Sequence, residues 1–152
     1  MKWMFALAFL TFTTAAHAQS DPWDGLEHKG ARYAGTKDAR ENAVMFVCPV
    51  TGAPQVILRS HQFRVSVPDD HRYTLTFATD RGRSEITAVA KDAELTFEAS
   101  DLNAQVAFQR LAEDIAASKS FTVSMSPFGW KGQFSAEGAA AALKPMLAGC
   151  RE

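Results

Sequence analysis

Residues 72–98 read RYTLTFATDRGRSEITAVAKDAELTFE, and this stretch decides the fold class. Tyr73, Leu75 and Phe77 alternate with Thr74 and Thr76. Ile86, Ala88 and Ala90 continue on one face, and Leu95 and Phe97 alternate with Glu94, Thr96 and Glu98. Successive side chains of a strand point to opposite faces, so a period of two marks strands with one buried and one solvated face. Thr79-Asp80-Arg81-Gly82-Arg83 and Lys91-Asp92 supply turn residues between the runs. Strands joined by turns this short pair antiparallel.

Toward the N-terminus, Phe63, Val65 and Val67 alternate with Gln62, Arg64 and Ser66 and predict a further strand, stopped by Pro68-Asp69-Asp70-His71. Gln55–Arg59 predicts another. Ala43–Cys48 is an almost continuous apolar run, as in a strand covered on both faces, and Pro49 ends it. Residues 19–42 are polar and carry Gly25, Gly30 and Gly35, so they read as an extended or loosely ordered lead-in that Trp23 could anchor.

Toward the C-terminus the period changes at Ser100-Asp101. Asp101 suits an N-cap, and an amphipathic helix is predicted over about 102–118, with Leu102, Val106, Leu111 and Ile115 on its apolar stripe. Phe121, Val123 and Met125 alternate as a strand, residues 126–132 turn the chain, and Phe134 ends a short return strand. Ser135 is expected to cap a last helix through the alanines 139–142 and Leu143, which Pro145 must kink or restart. With about seven strands and few crossover helices, a parallel sheet is disfavoured. The expected class is α+β: a curved antiparallel sheet or a two-sheet β-sandwich, with the 102–118 helix packed across it.

The first residues carry one charge, Lys2, then the apolar run Met4–Phe12, then Ala15-Ala16-His17-Ala18. A charged start, a short apolar core and a small-x-small ending make a signal peptide over 1–18, cleaved near Ala18. A membrane span needs about 20 apolar residues, whereas Thr11, Thr13, Thr14 and His17 interrupt this run. The expected destination is the periplasm or the medium. The remaining chain divides into the lead-in 19–42 and a single globular domain 43–152, with no expected span. Without Lys2, 15 basic residues face 17 acidic ones, which gives no support for nucleic-acid binding. Cys48 and Cys150 meet an oxidising compartment after export, where pairs become disulfides. The alternative, a redox or metal site, lacks a C-x-x-C or zinc spacing.

No hydrolase elbow, P-loop or H-E-x-x-H spacing occurs. His28, His61 and His71 read as solvated loop or strand-end residues, and Asp69-Asp70 as turn chemistry, so no catalytic residue, cofactor or metal is expected. Candidate binding residues fall in two places. Arg81 and Arg83 flank Gly82 in a turn, and Arg64, Arg72 and Arg83 could line one surface suited to carboxylate or phosphate. Phe128, Trp130 and Lys131 lie in a glycine-containing turn, where aromatics either bind a partner or pin the loop to the core.

Phe134-Ser135-Ala136-Glu137-Gly138, followed by Ala142-Leu143, Met146-Leu147 and Cys150, together with Cys48-Pro49 and the helix preceding Phe121-Thr122-Val123, resembles two families of small exported bacterial proteins. These are the VasI-like family associated with type VI secretion and the invasion-associated locus B family. The resemblance implies a periplasmic β-rich domain with a disulfide and no known catalytic residues. The expected function is therefore non-catalytic binding of a protein or other macromolecule of the envelope or medium. An inhibitor or immunity-type protein acting on an envelope hydrolase, and an enzyme with a site of scattered residues, are the alternatives.

Overall fold

The period-two runs form strands, except the one at Phe63–Val67. The computed structural model describes residues 22–150; the expected leader and its cleavage point lie outside them. One antiparallel sheet contains β1 (Asp24–His28), β2 (Ala31–Lys37), β3 (Ala43–Cys48), β4 (Gln55–Arg59), β5 (Arg72–Thr79), β6 (Gly82–Lys91), β7 (Glu94–Glu98), β8 (Ser120–Ser126) and β9 (Lys131–Ser135). Its order is β1-β2-β3-β4-β7-β6-β5-β8-β9. The helices are α1 (Phe63–Ser66), α2 (Leu102–Ala116) and α3 (Ala139–Gly149). The α+β class holds, and all nine strands share one hydrogen-bonded sheet.

That sheet is strongly curled. Phe46 on β3 and Phe121 on β8 are five places apart in the strand order. A flat sheet would separate them by about 24 Å. Yet both rings pack on Trp23, with centroids 6.0 and 6.2 Å from it. Val44, Phe46, Leu58, Leu75, Phe77, Leu95, Phe121 and Phe134 fill the concave side. There α2 packs against β5 and β6, α3 against β1–β3, and the two helices against each other. Among the described residues no helix is long and apolar enough to cross a membrane.

Several expectations are corrected. The polar lead-in holds two strands, β1 and β2, because backbone pairing with β3 stabilises a segment that carries little apolar signal; every residue of β1 is exposed. Phe63–Val67 is a helical turn, not a strand. Phe63 and Val67, both buried, are four residues apart and share a helical face as readily as a strand face. The turn is closed by Phe63 N–H donating to Ser60 O (3.1 Å) and Val67 N–H to Phe63 O (3.2 Å). In α2 the Asp101 carboxylate caps Ala104 N–H at 2.9 Å as expected. The buried stripe, however, is Phe108, Leu111, Ala112 and Ile115; Leu102 and Val106 are 75 and 58% exposed. The first turn of α2 projects beyond the concavity that Phe108 enters against Phe46, 5.4 Å away.

The N-cap position of α3 is Gly138, at φ 79°, and Ser135 Oγ accepts from Glu137 N–H at 3.0 Å. The left-handed backbone there favours glycine, and a Cβ would sit close to Trp23 O, at 3.3 Å. The helix runs through Pro145 without restarting. Ala141, whose carbonyl loses its donor, is exposed together with Pro145, so water can serve the orphaned group. The expected disulfide is present: Cys48–Cys150 ties the end of α3 to β3, with Cα atoms 5.3 Å apart.

Candidate binding edge along strand β9

The aromatic turn resolves into an anchor and a projection. Met125 N–H donates to Trp130 O and Gly129 N–H to Met125 O, both at 2.9 Å, with Gly129 at φ 73°. Trp130 is 5% exposed and packs on Phe63 at 5.3 Å. Its indole lies so close to β9 that a Cβ at Gly132 would come within 2.8 Å of it. Trp130 therefore pins the loop, whereas Phe128, 42% exposed, projects from it. Lys131 is exposed at the start of β9.

Arg81 and Arg83 lie far from that turn. The β5–β8 register pairs Thr74 with Ser126 and Thr79 with Phe121, so the 79–83 hairpin occupies the opposite end of β5. Five residues of strand separate the two ends by about 17 Å. Arg81 Nε is 3.7 Å from Asp114 on α2. Arg72 pairs with Val89 and Arg83 with Ala78, which puts these two arginines at opposite ends of one hairpin, so Arg64, Arg72 and Arg83 do not line a common surface. Arg64 and His61 border a shallow groove of about 500 Å³ with Lys37, Glu41, Arg59, Asp92 and Glu94. Its two glutamates pair with Lys37 and Arg59, and among the described residues no hydrogen bond joins His61 to a carboxylate. His71 Nδ1 lies 3.1 Å from Asp69 O in an exposed turn, and Asp69 accepts from Asp92 N–H at 3.0 Å. Among the described residues no group of three His, Cys, Asp or Glu is placed to hold a metal.

A second feature, along the free edge of β9, is built by topology. The bonds Met125 N–H to Trp130 O and Ala136 N–H to Lys119 O (3.0 Å) fix the parity of the β8–β9 ladder. Residues 130, 132, 134 and 136 bond to β8, and 131, 133 and 135 direct their backbone groups outward. At one end Trp23 Nε1–H donates to Ser135 O at 2.9 Å and Trp23 N–H to Glu137 O at 3.0 Å, which draws the first and last strands of the sheet together. Beyond that closure the outward groups of Lys131 and Gln133 have no partner among the described residues.

Beside this edge runs a groove of about 740 Å³, lined by Arg40, Lys119, Lys131, Gln133 and the buried Asp38 among others. Asp38 is 7% exposed and its oxygens face the turn between β2 and β3. Oδ1 accepts from Arg40 and Asn42 N–H at 2.8 and 2.9 Å, and Oδ2 from Asn42 Nδ2 at 2.7 Å. Arg40, Lys119 and Lys131 are exposed and belong to no ion pair among the described residues. A short return strand ending at Phe134 was readable in the sequence; that β9 ends the sheet, and that Arg40 from the β2–β3 turn faces it, was not. No family model, curated protein or solved structure matches the chain.

Proposed function

We propose that this is an exported, disulfide-closed protein that acts by binding another macromolecule of the cell envelope or medium, with the 126–131 turn in the contact. The observation that carries the reading is the division of labour in that turn. Trp130, buried on Phe63, holds the loop in one arrangement, so an exposed Phe128 is presented without a large ordering cost on association. The leader-like first 18 residues and the Cys48–Cys150 bridge support export to an oxidising compartment. The resemblance to VasI-like and invasion-associated locus B proteins agrees with it. An inhibitor of an envelope hydrolase is the narrower form of the same reading, favoured by an aromatic held outward on a pinned loop.

The test is photo-cross-linking in exporting cells, with p-benzoylphenylalanine in place of Phe128 and, as control, of Arg83 at the far end of the sheet. The expected result is a discrete adduct from position 128 alone, formed by a chain that starts at Gln19 and has no free thiol. A hydrolase in that adduct, slowed by the purified protein, selects the inhibitor form. A chain that stays in the cytosol with its first residues attached, or a position 128 that captures nothing, overturns the proposal.

A further inference from the structure

We infer that the free edge of β9 is a strand-addition site for an extended acidic segment of a partner protein; this rests on the binding reading above and names the chemistry of one contact. An incoming strand finds the N–H and C=O of Lys131 and of Gln133 directed away from β8 with no partner among the described residues. Pairing with such an edge supplies main-chain hydrogen bonds irrespective of sequence, and the flanking side chains then choose among strands. Here the flanks are Arg40, Lys119 and Lys131, three cations with no ion pair among the described residues, against the single inward-turned carboxylate of Asp38.

That charge excess selects the occupant. A basic strand would place like charges against Lys131, which destabilises a cross-strand pair. A second copy of β9 paired edge to edge would add a further lysine to a groove already lined by three cations. Alternating Asp or Glu meets cations on both sides of the groove, and an edge lysine that discourages indiscriminate pairing then becomes a specificity element. The Trp23–Ser135 hydrogen bond blocks one end, so the paired segment is short and enters from the Lys131 end, beside the 126–131 turn.

The test titrates the oxidised protein with a fluorescein-labelled octapeptide alternating Glu and Val and with its Lys-Val counterpart, by anisotropy at low and at physiological salt. The acidic peptide is expected to bind at least about tenfold tighter, less so at high salt. It should slow hydrogen exchange of the Lys131 and Gln133 amides while leaving Gly132 and Phe134, already bonded to β8, unchanged. Arg40→Glu with Lys119→Glu should abolish binding. Gln133→Pro, which removes only an outward N–H, should weaken it about tenfold or more at an unchanged melting temperature; if that variant does not fold, the exchange pattern of the unsubstituted protein decides. Equal binding of the two peptides, or acidic binding with the Lys131 and Gln133 amides still exchanging freely, overturns strand addition. So does a concentration-dependent dimer that excludes the peptide. Failure of the peptide with cross-linking at position 128 retained removes the edge and leaves the turn reading standing; failure of both removes both.

Discussion

Reducing the Cys48–Cys150 bridge should lower stability by about 4–5 kcal/mol. The two cysteines are 102 residues apart, and loop-closure entropy for a ring of that size amounts to about 4.7 kcal/mol at 25 °C. The figure concerns the unfolded chain: with the bridge open, most of the sheet and both long helices gain freedom that the cystine denies them. In the folded state the change is small, because Leu143 and Met146 still bury α3 against the sheet. For a domain of this size the loss corresponds to a fall of ~15 °C in Tm. The measurement is urea unfolding followed by circular dichroism on one preparation, with and without reductant. Reduction keeps both sulfur atoms in the core, so it isolates the cross-link. A Cys48→Ala/Cys150→Ala chain adds the loss of buried sulfur and should fall by a further ~1 kcal/mol. The urea dependence should steepen on reduction, because the uncrosslinked unfolded chain exposes more surface. If reduced and oxidised protein differ by less than about 1 kcal/mol, the claim that the bridge acts by restraining the unfolded state is wrong.

Four further substitutions probe the site and its frame. Trp130→Ala should cost about 3–5 kcal/mol by emptying the pocket against Phe63, whereas Phe128→Ala should stay within about 0.5 kcal/mol; thermal melts showing the reverse order would overturn the anchor-and-projection assignment. Gly35→Ala should destabilise by about 2 kcal/mol or more, since a Cβ there would lie 2.7 Å from Val44 O on the neighbouring strand, and a melting curve like that of the parent would contradict the close approach. Asp38→Ala should cost about 2–3 kcal/mol, because it leaves the donors of Asn42 without their acceptor in a buried turn; chemical denaturation checks the size, and loss of ordered amide signals for residues 38–42 checks the cause.

Local backbone geometry made part of this structure legible in the chain alone. Alternation at Tyr73–Phe77, Ile86–Ala90, Leu95–Phe97 and Phe121–Met125 follows from how a strand directs its side chains, and the Asp101 cap follows from the unpaired N–H groups of a helix end. The pairing of Cys48 with Cys150 followed from there being only two cysteines once an oxidising destination was inferred. Where two periods fit equally, as at Phe63 and Val67, or where no apolar pattern existed, as in β1, sequence periodicity had nothing to distinguish. Those segments took their form from what they pack or pair against.

The order of the strands belongs entirely to the tertiary structure. β4 bypasses β5 and β6 to pair with β7, and the curl that brings Trp23 between Phe46 and Phe121 depends on contacts among residues remote in the chain. The candidate site is of this second kind. The residue types of the 126–131 turn were evident, but only burial separated Trp130 from Phe128. The edge of β9 with its three cations exists because hydrogen bonding between distant segments left one strand last in line, a property that no side chain on β9 encodes.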